Sequence, residues 1–147
     1  VHQKLRQAYS QTDPQEQFAV LRRLRFFHEF SHAEIWEVLR ASDWRDFAVG
    51  EEIVKEGEID DRFYILVAGE CKVERNGEQL GRIESGDCFG ETGYVKGARR
   101  TATIRAASVV QALKVSATLL EQVSASCQLR FNKAFLKTLI SRLQNAL

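Results

Sequence analysis

The sequence predicts a mostly β domain of barrel or jelly-roll type, with helices before it and two helices after it. Three observations predict this. Short apolar or alternating runs between Phe47 and Val115 are punctuated at close spacing by Gly50, Gly57, Gly69, Gly77 and Gly86. Asn76-Gly77 lies between two such runs and is a strong short-range hairpin signal. The segments on either side carry capping patterns and apolar residues at helical spacing instead. At 147 residues the chain is one domain in length, and a domain of that size buries roughly 70% of the surface its unfolded form exposes.

Taken in order, residues 1–45 are read as N-terminal helices. "TDPQEQ" places Asp13 as a cap, Pro14 at the first helical position and Glu16 three residues after the cap. "SHAEIWEVL" repeats the device with Ser31 and Glu34, and Ile35, Trp36 and Leu39 form an apolar stripe. The period changes from Trp44, so residues 46–115 are read as the barrel. Phe47, Val49 and Ile53-Val54 lie around Gly50 and before Gly57, and "RFYILVAG" is a short apolar run ending at Gly69. "ECKVERNGEQLGRI" alternates around the hairpin turn, and "TATIRA" and "VVQALKV" supply two more strands. The glycines at 50, 57 and 69 are read as turn residues needing positive φ.

Helical spacing returns in residues 116–147. Thr118 with Glu121 is read as the cap of a short helix. Phe131, Phe135, Leu139 and Leu143 then recur every fourth residue, widened by Leu136, Ile140 and Leu147. Ser124 to Ser126 separates the two helices and is read as a hinge.

Composition narrows the function. With 21 basic and 20 acidic residues, no broad electrostatic grip on a nucleic acid backbone is expected within these residues. Arg22, Arg23 and Arg25 form too short a run to change that and are read as a solvated helix face. Cys71, Cys88 and Cys127 are odd in number, widely spaced and without a CxxC pair, against a disulfide framework or a structural zinc site. A reducing cytoplasm suits them. No apolar run reaches the roughly 18 residues a membrane helix needs, and no secretory pattern opens the chain. It begins at Val1 without methionine, which points to a fragment of something larger.

The stretch "GDCFGETGYVKGARRTATIRA", residues 86–106, carries the chemistry. If "FGETGYV" forms a short helical turn after its glycine bend, its first backbone N–H groups point outward at an anion. A phosphate there needs a cation, and arginine presents a planar fork that matches phosphate oxygens. Glu91 repels a phosphate and accepts from a donor such as a ribose hydroxyl. A carboxylate and an arginine at this separation suit a small anionic sugar phosphate.

The same residues resemble the phosphate-binding cassette of the cyclic nucleotide-binding domains found in regulated kinases, ion channels and bacterial transcription regulators. There a Phe-Gly-Glu is followed, after eight intervening residues, by an arginine, small residues and an Ala-Thr-Val-like strand. Here Phe89-Gly90-Glu91 is followed after eight residues by Arg100 and then Thr101-Ala102-Thr103-Ile104. "FAVGEEIVKEGEIDDRFYILVAGECKV" is similar to the family's strands, so the likeness runs from about Leu24 onward.

The resemblance implies a β-roll with two C-terminal helices acting as hinge and lid, and a regulatory rather than catalytic domain. Its ligand would be cyclic AMP or cyclic GMP, with no further cofactor, and its partner an attached or associated effector domain. Glu91 would take the ribose 2'-hydroxyl and Arg100 the cyclic phosphate. The amides of Gly90 and Ala102 with the Thr101 hydroxyl would complete the cradle, and the base would lie near Val73 and Phe89. Phe131, Phe135 and Leu136 would be lid residues. Arg99 stands where the family often has proline, so a contribution from it stays open, and Thr92-Gly93 replaces a larger apolar pair. Base preference and homodimerisation also stay open.

Two other classes compete. A cupin-type metal enzyme needs histidines on the strands, whereas His2, His28 and His32 all precede them. His28 and His32 are four apart, but no further ligands complete a metal site. A domain that keeps the fold as a docking or structural module without ligand is the alternative, and the intact Glu91 and Arg100 speak against it. Cys88, beside the cassette, is a candidate redox-sensitive thiol or simply a space-filling one.

Overall fold

A computed structural model of the chain describes residues 13–94 and 97–146. Helix α1 (Pro14–Arg23) starts where Asp13 Oδ1 accepts from the amides of Gln15 and Glu16, at 2.9 and 3.1 Å. A 3-10 turn (Arg25–Phe27) leads to α2 (His32–Arg40). Its capping box is complete, with Ser31 N donating to Glu34 Oε1 at 2.8 Å and Glu34 N donating to Ser31 Oγ at 3.2 Å.

Eight strands follow: β1 (Ser42–Phe47), β2 (Glu52–Val54), β3 (Arg62–Ala68), β4 (Glu70–Arg75), β5 (Glu78–Glu84), β6 (Cys88–Phe89), β7 (Thr103–Ala106) and β8 (Val110–Ser116). They form two antiparallel four-stranded sheets, ordered β1-β8-β3-β6 and β2-β7-β4-β5. The fold is jelly-roll-like, but the expected barrel is two sheets and does not close. The first strand also begins at Ser42, ahead of the expected boundary at residue 46.

The uninterrupted apolar run of β3 has a direct cause, because both of its faces are covered. Phe63, Ile65 and Val67 join Leu113 and Val115 of β8 in a core roofed by the helices. Tyr64 and Leu66 point the other way, into the core between the sheets with Val110, Ala112 and Ile104. Period-two alternation thus assigns neighbouring residues to different cores. At β6, Cys88 faces the helices and Phe89 faces the space between the sheets.

The hairpin joining β4 to β5 has φ of 52° at Asn76 and 80° at Gly77. Positive φ at both central residues is what a two-residue turn requires to match strand twist. Gly50, Gly57 and Gly69 also have positive φ, as their turn reading required.

After β8 come α3 (Ala117–Leu120) and α4 (Ala125–Ala146). Ser116 caps α3 by accepting from Leu119 N, in place of the expected Thr118. Thr118 is engaged elsewhere, donating to Asp61 Oδ2 at 2.8 Å. At the expected hinge, Ser124 bonds Glu37 of α2 through both its amide and its hydroxyl, each at 2.8 Å. Among the described residues no helix is long and apolar enough to cross a membrane.

The two halves of α4 differ. Cys127, Phe131 and Phe135 are buried against Phe26, Phe30 and Phe63, whereas Leu136, Ile140 and Leu143 stay exposed. Beyond Phe135 the helix is held to the body by polar side chains, Lys137 on Glu29 and Arg142 on Glu91.

Candidate functional site

Leaving β6, the chain turns at Gly90, whose φ is 73°, into a 3-10 segment (Glu91–Tyr94) closed by Gly93 N donating to Gly90 O at 2.9 Å. The expected short helical turn therefore forms. Gly93 has a second reason to be glycine: a Cβ there would run into the Arg62 carbonyl and lie 2.8 Å from Arg100 Nη1. The missing side chain that weakens the turn as a helix is what lets the guanidinium reach it.

Arg100 is 4% exposed. Its Nη1 donates to Gly90 O at 2.6 Å and its Nη2 donates to Arg62 O. Its own amide donates to Glu58 O at 2.7 Å, and Gly57 N returns a bond to its carbonyl at 2.9 Å. Among the described residues no carboxylate pairs with it. A guanidinium has five N–H donors, so those two side-chain bonds leave three unspent. A buried charge without a counter-ion costs several kcal/mol. That arrangement suits an anion arriving from outside the chain.

Glu91 does not bond to Arg100. Its Oε1 accepts from Arg142 Nη1 at 2.9 Å, and Arg142 Nη2 donates to the Cys88 carbonyl. Both side chains are about a third exposed, at 33% for Arg142 and 32% for Glu91. A carboxylate offers about four lone-pair sites, and Oε2 makes no bond among the described residues. Glu91 therefore keeps acceptor capacity for a hydroxyl.

A cavity of about 580 Å³ opens beside both groups. Val73, Phe89, Gly90, Glu91, Arg100, Thr101 and Ala102, the residues expected at a ligand site, all line it. Phe89 stacks on Tyr64 at 5.1 Å with 11° between the planes, which holds a flat apolar surface on the inter-sheet side. Arg99 is not part of the lining and donates instead to Gly57 O at 3.0 Å.

The lid expectation is placed differently. Phe131 and Phe135 lie in the helix-covered core, 5.3 and 5.1 Å from Phe63 by ring centroid, and Leu136 is 57% exposed. None of the three lines the cavity; α4 presents Arg142 and Asn145 to it. The physical reason is helical pitch, because Phe131 and Arg142 are eleven residues, or about three turns, apart and lie over different parts of the body. No local pattern flags Arg142 or Asn145. Arg75, also on the lining, sits one residue before the hairpin turn, where a sequence reading sees only a turn flank.

The remaining candidates have structural surroundings. His28 Nε2 lies 3.4 Å from Arg23 O, and His32 meets Phe18 edge-on. Among the described residues no histidine, cysteine or carboxylate cluster could hold a metal. All three cysteines are free and buried. Burial pushes the Cys88 thiol up to about 12. The thiolate is the reactive form, so the redox reading of Cys88 has no support from its surroundings.

Two four-stranded sheets with a glycine-bent turn, a buried guanidinium and a carboxylate on one cavity define a class, a jelly roll with its candidate site between β6 and β7. Residues 44–127, more than half of the chain, match the profile of the cyclic nucleotide-binding domain. The chain belongs to that family.

It is similar to a cGMP-dependent protein kinase of Toxoplasma gondii, 31% identical over 105 residues, covering 71% of this chain and 11% of that protein. It is also similar to a cAMP-dependent protein kinase regulatory subunit of Mycosarcoma maydis, 33% identical over 85 residues, covering 55% of this chain and 16% of that one. Among solved structures, a cyclic nucleotide-binding domain from Methylobacillus flagellatus superposes with a TM-score of 0.78 at 18% identity, covering 89% of this chain and 78% of that one. The chain spans 16% or less of the length of these two kinase relatives.

Proposed function

We propose that this domain is a sensor that binds a cyclic nucleotide, cyclic AMP or cyclic GMP, in the cavity beside β6 and relays its occupancy through α4 to an attached or associated effector. The observation that carries the reading is Arg100, a buried guanidinium without a carboxylate partner among the described residues, lining the same cavity as Glu91. In this reading the cyclic phosphate supplies the missing counter-charge. The ribose 2'-hydroxyl donates to Glu91, and the base lies against Val73 and Phe89. Thr101 and the amides of Gly90 and Ala102 complete the cradle.

The relay follows from what already holds Glu91. A ribose hydroxyl meets a carboxylate engaged by Arg142, so filling the cavity changes a contact that fastens the far half of α4. That half has open space on two sides, since a second cavity of about 490 Å³ shares Asp87, Arg142 and Asn145 with the first. Its near half is anchored by Phe131 and Phe135 and stays put. Coupling of about 1 to 3 kcal/mol is typical of such linkage and requires the two helix positions to bind ligand unequally. No catalytic step is assigned to the domain, and a cytoplasmic location belongs to the same reading.

The same pair favours a second reading, a docking module without ligand, since Arg142 can stand as the permanent partner of Glu91. Calorimetric titration with cyclic AMP and cyclic GMP separates the two. Saturable binding of either nucleotide supports the sensor, and a null titration with both supports the docking module. Replacing the nucleotide by its 2'-deoxy analogue should weaken binding to the native protein and change little in Glu91→Gln. Equal sensitivity in both proteins would remove the ribose assignment.

A further inference from the structure

Arg75 is one of four arginines on the cavity lining, with Arg82, Arg100 and Arg142. It is the last residue of β4, whose pairing with β7 sets Cys71 opposite Ala106, Val73 opposite Ile104 and Glu74 opposite Thr103. Cys71 and Val73 face the inter-sheet core, so period-two alternation turns Arg75 to the same side, next to Ala102. Its Nε donates to the carbonyl of Thr101 at 2.8 Å, which ties the guanidinium to the residue following Arg100. It lines the cavity, is exposed, and pairs with no carboxylate among the described residues. The other two arginines of the lining are committed, Arg82 to Glu70 and Arg142 to Glu91. Among the described residues two arginines without a carboxylate partner therefore share the lining, Arg100 buried and Arg75 exposed.

A cyclic phosphodiester has one negative charge shared by two exocyclic oxygens. Building on the nucleotide-binding reading above, we infer that Arg75 is a second phosphate ligand, taking the exocyclic oxygen that faces the cavity mouth while Arg100 takes the one that faces inward. Nε is spent on Thr101, so the Nη groups make the contact. The grip is on phosphate alone and is blind to the base.

The test pairs variants with phosphorothioate analogues, in which sulfur replaces one exocyclic oxygen or the other and accepts hydrogen bonds less well. Titration of the native protein with cyclic AMP and cyclic GMP comes first, and a null result there removes the underlying reading together with this one. Given binding, Arg75→Ala and Arg75→Gln should each weaken both nucleotides by about the same factor, roughly tenfold for one charge-assisted bond. Gln can keep a donor near Thr101 O, so it separates loss of charge from loss of the local tie. Arg75→Lys should recover part of the affinity. In the native protein both diastereomers should bind more weakly than the parent; in Arg75→Gln the penalty for one should vanish and the other remain. Unchanged affinity in Arg75→Gln, an effect on only one base, or retention of both sulfur penalties would overturn the assignment while leaving the cyclic nucleotide site itself standing.

Discussion

Arg142 of α4 bonds Glu91 of the cassette at 2.9 Å across 51 positions of sequence. One ion pair thus joins the far half of the last helix to a carboxylate on the lining of the cavity. It is partly exposed, so it is worth no more than about 1 kcal/mol. A contact of that size holds a helix in one place without preventing its release.

Arg142→Ala removes the tie and leaves the anchored half of α4 intact. Hydrogen exchange should show lower protection in the last two turns of α4 and unchanged protection around Phe131. Because Glu91 is then free, affinity for the cyclic nucleotide should rise, by at most about fivefold. A large fall in affinity would mean that Arg142 holds the ligand itself.

Arg100→Ala should cost about 2 to 5 kcal/mol of binding, or roughly 30-fold to several-thousand-fold in affinity, because the phosphate would be left partly buried without its cation. Circular dichroism should still show the native sheets. Arg99→Ala should stay within about twofold of the parent, because its one side-chain bond, to Gly57 O, lies off the cavity. A reversed ranking in titration would mean that the neighbouring arginine carries the phosphate.

Gly93→Ala tests how Arg100 is seated. The new methyl would strike the Arg62 carbonyl and crowd the Arg100 guanidinium, and overpacking of this kind costs about 1 to 3 kcal/mol. Thermal unfolding should fall accordingly, with a loss of ligand affinity beyond what the change in stability explains. A variant with native melting temperature and native affinity would refute the close approach.

Asp61 links β3 to α3 by accepting from Thr118 Oγ1 at 2.8 Å and from Ser116 Oγ at 3.1 Å. The hydrogen bond from Thr118 leads in drawing its carboxyl below the usual 3.8, against burial, which raises it. A carboxyl depressed in the folded state contributes its stability above the unfolded pKa and loses it as pH falls through the folded one. The melting-temperature gap between the native protein and Asp61→Asn should therefore be constant from pH 5 to 8 and shrink below about pH 4. A gap that does not change down to pH 2 would show that the hydrogen bonds, and not the charge, are what the residue supplies.

Much of the site was legible because its chemistry is local. The Phe89-Gly90-Glu91 turn, the eight-residue gap and Arg100 sit on one short loop, so the spacing that brings them to one cavity is written along the chain. Caps at Asp13 and Ser31 and the turn at Asn76-Gly77 read correctly for the same reason, since each rests on bonds or φ values within a few residues. Thr118 misread as a cap because its hydroxyl serves Asp61, 57 positions away.

By itself, then, the sequence determined most of the strands, the helix starts at Asp13 and Ser31 and the glycine-bent turn before Arg100, all set by backbone sterics and near-neighbour hydrogen bonds. Only tertiary structure decided which face of α4 is buried and what reaches Glu91. Residues spaced by four advance about 400° around a helix of 3.6 residues per turn, so such a stripe drifts by roughly 40° at each step. Phe131 and Phe135 fall on the core, and by Leu143 the row has turned out to solvent while Arg142 has turned inward to Glu91. The same holds for Arg75, whose place beside Thr101 depends on pairing two strands 26 residues apart. Long-range contacts of this kind depend on where whole elements pack, which no local spacing encodes.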